Sequence, residues 1–181
     1  MSDTTTQPGR LALVLGGTRS GKSRIAEDLA ARSGPEVTYV ATAALDPDDA
    51  DHATRIATHR ERRPNTWTTL ECSDPAELPA ILTKIEGTVL LDSLGSWVAR
   101  HPDLDADGPA LAAALTRRTA DTIVVAEEVG WSLHAPTEVG RSFVDAVGIL
   151  NQQVAAVADD VLLVVAGRVL RLPPAESTDR C

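Results

Sequence analysis

The sequence predicts a three-layer α/β fold, a mostly parallel sheet with helices on both faces. Two observations predict it. Short apolar runs at 11–15 (LALVL), 88–92 (TVLLD), 122–126 (TIVVA) and 161–165 (VLLVV) alternate with segments of helical period. Runs without apolar–polar alternation are strands buried on both faces, and their alternation with helices implies parallel pairing. The glycine-rich and acidic positions that suggest chemistry also follow the carboxyl ends of these runs, where an open parallel sheet gathers its ligands.

Taken in order, residues 1–10 (MSDTTTQPGR) are polar and read as a disordered leader, with no apolar stretch of a signal peptide. Residues 11–172 read as one domain and 173–181, opening on Pro173-Pro174, as a loose tail. After the first strand and its glycine turn, 22–32 place Ile25, Ala26, Leu29 and Ala30 at helical spacing, and Ser33-Gly34-Pro35 stops the helix. VTYVA at 37–41 is a second strand. The acidic DPDDAD then gives way to ATRIATHRERR, helical in propensity and strongly basic, which Pro64 interrupts before the strand-like WTTLE at 67–71. A short helix is expected at 76–85, a strand at 88–92, a loop over HPDLDADGP and a helix over 110–118. The strand at 122–126 runs into Glu127-Glu128; 137–158 are helical, 161–165 a strand, and VLRL returns after Gly167 as a short final strand.

Composition narrows the function classes. With 181 residues and 43% hydrophobic content the chain can bury a substantial core, built mostly from aliphatics because only Tyr39, Trp67, Trp97, Trp131 and Phe143 are aromatic. A net charge of −9 lacks the basic face that nucleic-acid backbones require. No apolar run is long enough to span a membrane. Two distant cysteines, Cys72 and Cys181, suit reduced thiols and a cytoplasmic location.

The strongest motif is Gly16-Gly17-Thr18-Arg19-Ser20-Gly21-Lys22-Ser23, which matches the phosphate-binding loop pattern G-x-x-x-x-G-K-[ST] throughout. Such a loop turns its amides inward on phosphate oxygens, and the helix that follows adds its positive end. Lys22 is expected on the β and γ phosphates and the Ser23 hydroxyl on Mg2+. The loop, set between a strand and a helix, makes the fold P-loop NTPase-like. That chemistry also needs a strand-end acid toward the metal; Asp92 suits this, with Glu127 and Glu128 as alternatives.

The basic segment is the second cluster. An imidazole such as His59 can attack an α-phosphorus and form a phosphoramidate, with Arg60, Arg62 and Arg63 neutralising phosphate charge. A histidine among arginines is also what a solvated helix face looks like, and spacing alone leaves both readings open. His52, His101 and His134 are read as polar-loop residues.

LGGTRSGKSRIAE, VTYVATA, RIATHRERRPNTWTTLE, VLLDSLGSWVA, VVAEEVGWSLHAPTEVGRSF and ILNQQVAAVADDVLLVVAGRVLRL occur in that order and cover nearly all of 11–172. In these segments the chain resembles the bifunctional adenosylcobinamide kinase/adenosylcobinamide-phosphate guanylyltransferase family of cobalamin biosynthesis. The resemblance implies that His59 becomes guanylylated and that Gly16–Ser23 form the nucleotide loop. It also implies nucleotide contacts from Ala41, Thr42 and Ala43, from Arg60, Glu61, Arg62 and Arg63, and from Glu71 and Asp92. It implies phosphorylation of adenosylcobinamide by ATP or GTP, then GMP transfer from GTP to give adenosylcobinamide-GDP and pyrophosphate, in a homotrimer.

The chain departs from the family pattern at Thr58, at Ser93 and Gly95, at Trp131-Ser132 and at Val144. These positions touch the kinase half more than nucleotide binding, so a guanylyltransferase without kinase activity is a second reading. A non-catalytic nucleotide switch is a third, and leaves His59 and its arginines without a role.

Overall fold

The strands are β1 (Leu11–Gly16), β2 (Val37–Ala41), β3 (Thr68–Glu71), β4 (Thr88–Asp92), β5 (Thr122–Glu127), β6 (Asp160–Val165) and β7 (Arg168–Leu172). The α-helices are α1 (Lys22–Ser33), α2 (Leu78–Leu82), α3 (Leu94–Ala99), α4 (Gly108–Thr116) and α5 (Glu138–Ala155). They belong to a computed structural model that describes residues 9–43, 63–131, 135 and 137–175. The seven strands form one sheet in the order β3-β2-β4-β5-β1-β6-β7. All neighbours pair in parallel except β6 and β7, which form an antiparallel hairpin.

Each central strand feeds both cores because successive side chains point to opposite faces. Leu13, Leu15, Val89, Leu91, Val124 and Ala126 pack against α2 through α5, which supply Leu78, Leu82, Leu94, Trp97, Leu111, Leu115, Val147, Leu150 and Val154. Val14, Val37, Tyr39, Leu90, Ile123, Val125 and Val164 face the other way, onto Ala26 and Ala30 of α1. The α/β reading with helices on both faces therefore holds. No described helix is long and apolar enough to cross a membrane.

Several helix boundaries differ from those expected, each for a local reason. The helix expected at 76–85 is a 3-10 turn, Pro75–Glu77, followed by the shorter α2. Pro79 lacks an N–H and is tolerated only in a first turn, so α2 begins at Leu78. The helix expected from 110 begins inside the expected loop, at Gly108. Asp107 caps it, its carboxylate accepting from Ala110 N at 2.9 Å, and Pro109 sits in the first turn. It ends at Thr116 rather than at 118. Pro102–Leu104, also within the expected loop, form a second 3-10 turn. The helix expected over 137–158 is α5, which Thr137 caps through Gly140 N at 3.1 Å. Helix α3 was not expected at all; Ser93 caps it, accepting from Ser96 N at 3.4 Å.

Candidate nucleotide-binding site

β1 lies between β5 and β6, with Gly16 opposite Glu127 on one side and Val164 on the other. The loop that leaves it is fastened by its main chain. Glu128 N donates to Gly16 O at 3.1 Å, Ser20 N to Gly17 O at 3.2 Å, and Gly167 N, in the β6–β7 turn, to Ser20 O at 2.8 Å. Gly21 takes φ +95°, a left-handed conformation that other residues adopt only at a cost, and so turns the chain into α1. Gly21, at the N-cap, has no side chain to cap α1; Ser20 Oγ accepts from Lys22 N at 3.3 Å, within the loop itself. Lys22 Nζ reaches back to Gly17 O at 3.4 Å, a long contact that leaves the ammonium ready for a better acceptor. Thr18 and Arg19 are exposed, and Ser23 is half-buried on the first turn.

The other site residues end neighbouring strands at the same edge. Ala41 closes β2, opposite Asp92 of β4 and Glu71 of β3. Asp92 is half-buried and Glu71 exposed. The next residue, Thr42, is buried and ties β2 to β4 beyond the last ladder bond. Its hydroxyl donates to Ser93 O at 2.6 Å and accepts from Ser93 N at 2.8 Å, and its own N–H donates to Asp92 O at 3.2 Å. Ala43 follows, half-buried.

On the α1 face, Tyr39 and Asp92 are diagonal neighbours across the β2–β4 ladder, where an aromatic side chain can bridge the gap. The Tyr39 hydroxyl donates to Asp92 Oδ2 at 3.1 Å. The Arg63 guanidinium lies over the Tyr39 ring, 3.2 Å from its centroid. Burial pushes the phenol pKa far up; the charges of Asp92 and Glu27 push the same way and Arg63 opposes them. The hydroxyl therefore stays protonated and remains a donor.

The two alternative acids are engaged elsewhere. Glu127 Oε2 accepts from Gly95 N in α3 at 2.8 Å, and a Cβ at Gly95 would run into that carboxylate. Asn151 Nδ2 of α5 donates to Glu127 O at 3.0 Å. Glu128 Oε1 accepts from Gly130 N at 3.2 Å. Asp92, by contrast, meets Tyr39 of the α1-side core. Among the described residues no group of three or more His, Cys, Asp or Glu gathers as a self-sufficient metal cage. Ser23, on the first turn of α1, and Asp92, at the end of β4, are oxygen donors of the kind that could hold Mg2+ together with water and phosphate.

His59, Arg60, Glu61 and Arg62 lie outside the described residues, as do His52, Thr58, Ser132 and His134. Two contributors escaped sequence reasoning. Arg100 NH1 donates to Thr42 O at 3.1 Å and to Cys72 O, and NH2 donates to Ser73 O, so one side chain clamps the chain leaving both β2 and β3. An arginine just past the hexamer LGSWVA carries no motif. Tyr39 carried a faint signal, as the chain's one tyrosine, placed in a strand of small and β-branched residues.

The family model described as cobinamide kinase / cobinamide phosphate guanyltransferase matches residues 12–172. The chain belongs to that family. Family members with curated names agree. The bifunctional adenosylcobalamin biosynthesis protein CobP of Pseudomonas aeruginosa is 40% identical over 164 residues, covering 86% of this chain and 92% of that one. The bifunctional adenosylcobalamin biosynthesis protein CobU of Salmonella typhimurium is 37% identical, covering 87% and 96%. CobU of Escherichia coli is 34% identical over the same shares. The family match runs from β1 through β7, so it spans every strand that contributes to this edge.

Proposed function

We propose that the chain phosphorylates the aminopropanol hydroxyl of adenosylcobinamide with ATP or GTP, then transfers GMP from GTP to that phosphate through His59. The observation that carries this reading is the convergence of the Gly16–Ser23 loop, Thr42 and Asp92 on one sheet edge, in a chain that matches the family from β1 to β7. In the transfer step a lone pair on the His59 imidazole attacks the α-phosphorus. The α–β bridging bond breaks, pyrophosphate leaves, and a P–N bond holds GMP. An oxygen of the corrinoid phosphate then attacks the same phosphorus, the P–N bond breaks, and the imidazole is regenerated.

The loop amides and Lys22 hold the β and γ phosphates in both half-reactions. They hold the departing pyrophosphate in one and orient the γ-phosphoryl group in the other. Ser23 and Asp92 would hold Mg2+, which when bound neutralises charge on the phosphate oxygens. Ala41, Thr42, Ala43, Glu71, Arg60, Glu61, Arg62 and Arg63 are assigned to the nucleotide. The position of Arg63 supports a nucleophile at this edge, since the four residues from Arg63 back to His59 span at most about 14 Å of chain.

Two assays test the proposal. Incubation with α-labelled GTP should leave acid-labile, base-stable label on the protein, and His59→Ala should abolish it; label persisting in that variant rejects the nucleophile. Phosphorylation of adenosylcobinamide, followed separately, tests the kinase half and rejects it if no phosphate reaches the corrinoid. Self-association, expected as a homotrimer, is supported by Val165, Val169 and Leu170 exposed on the β6–β7 hairpin and Ile149 on α5. Sedimentation equilibrium at one-protomer mass would reject it.

A further inference from the structure

Among the described residues, Tyr39 is the one buried member of the α1-side hydrophobic core whose side chain carries a polar group, and that group meets Asp92. A core filler at this position needs only the ring. This residue uses both of its ends. The hydroxyl donates to Asp92 Oδ2 at 3.1 Å, and the ring face carries the Arg63 guanidinium at 3.2 Å. Arg63 ends the basic run that begins at His59, and Asp92 ends β4. Two groups on separate segments are thereby fixed to one rigid platform, itself held by β2 in the middle of a ladder.

We propose that Tyr39 is a positioning residue that couples the end of the basic segment to the strand-end acid, its hydroxyl aiming Asp92 and its ring seating Arg63. This deepens the function proposed above and rests on it. A guanidinium this close over a ring suits arginine better than lysine, whose compact, strongly hydrated ammonium lacks the planar face. The hydroxyl and the ring act on different partners, so two substitutions separate them. Tyr39→Phe keeps the seat and drops the hydrogen bond. Tyr39→Leu drops both.

The test uses the full-length protein with two readouts, the rate of self-guanylylation from α-labelled GTP and the affinity for a non-hydrolysable GTP analogue. Tyr39→Phe should slow labelling about tenfold, the scale of a lost hydrogen bond to a charged group, with analogue affinity within about threefold of wild type. In a double-mutant cycle on analogue affinity, Arg63→Lys should weaken binding in the Tyr39 background and have little further effect in Tyr39→Leu. Labelling by Tyr39→Phe at the wild-type rate overturns the hydroxyl's role. A loss of folded Tyr39→Phe protein by circular dichroism that accounts for the slower rate also overturns the hydroxyl's role, and additive effects in the cycle overturn the seat. If wild-type protein takes no label, the function proposed above fails, while the binding cycle still decides whether Tyr39 couples to Arg63.

Discussion

Thr42 grips Ser93 by both of its main-chain polar groups, donating to the carbonyl at 2.6 Å and accepting from the N–H at 2.8 Å. Ser93 in turn caps α3. The end of β2, the end of β4 and the start of a helix are therefore joined through one hydroxyl that is fully buried. Thr42→Val keeps the shape and strands a donor and an acceptor away from water. We expect it to cost about 2–5 kcal/mol, while Thr42→Ser retains the hydroxyl and costs about 1 kcal/mol. Urea unfolding of the two variants measures the difference; equal midpoints would refute it.

Among the described residues the Lys22 ammonium has one contact, a long one to Gly17 O at 3.4 Å. Its replacement by alanine should leave stability within about 0.5 kcal/mol. Its loss should weaken GTP binding by about tenfold or more, since a charge-assisted contact to phosphate disappears. Calorimetric titration with the non-hydrolysable analogue, beside a thermal melt, checks both halves. A large fall in Tm with unchanged affinity contradicts the assignment.

Two arginines do opposite jobs at opposite ends of the sheet. Arg118 is buried at the amino edge, where it donates to Leu82 O, Ile85 O and Gly87 O and to Thr122 Oγ1. Burial lowers its pKa. Arg118→Met should cost about 3–5 kcal/mol of stability by orphaning those acceptors, while folded protein still binds nucleotide. Arg100→Met releases Thr42 O, Cys72 O and Ser73 O at the site edge. It should cost less stability, about 1–3 kcal/mol, and weaken nucleotide binding as well. Binding unaffected by the Arg100 change would refute the distinction.

His101 gives a pH dependence whose sign is fixed. Its ring meets Trp97 edge-on with centroids 4.9 Å apart, and its Nε2 is buried without a partner. Burial lowers its pKa below the ordinary 6.5; Arg100 works with burial, and Asp74 and Asp105 against it. Above that ordinary value both folded and unfolded forms are neutral and the histidine contributes nothing to pH dependence. Below it the unfolded chain takes the proton first, so stability falls with falling pH until the folded pKa is passed. Between pH 7.5 and about 5.5, wild-type protein should lose more stability than His101→Gln. Parallel slopes in the two proteins would contradict this.

The strands were legible because a buried parallel sheet demands unbroken aliphatic runs, and β4 lies at the residues the sequence indicated. The turn from β1 into α1 was legible because its glycines punctuate an apolar run and a helical one. The helices were less so. Asp107 and Pro109 carry an ordinary amino-terminal signature, yet an acidic, proline-bearing stretch also resembles a loop. Helix α3, six residues with Gly95 and Ser96 inside it, is too short for periodicity to register and exists because Ser93 and Glu127 hold its first turn. The roles of Tyr39 and Arg100 depend on residues distant in the chain, which no local pattern encodes.

Strand order also divides the sheet by how readily its parts open. β1 and β5 sit inside the sheet, whereas β3 is a four-residue border strand with β2 as its one neighbour. Amides along β1 should exchange with deuterium only when the whole molecule unfolds, while those of β3 exchange through small, frequent openings. The loop proposed to hold phosphate thus leaves a strand expected to exchange slowly, and Glu71 ends one expected to exchange fast. An enzyme meeting a small nucleotide and a bulky acceptor in turn gains from that inequality: one partner finds a fixed socket, the other a margin that yields.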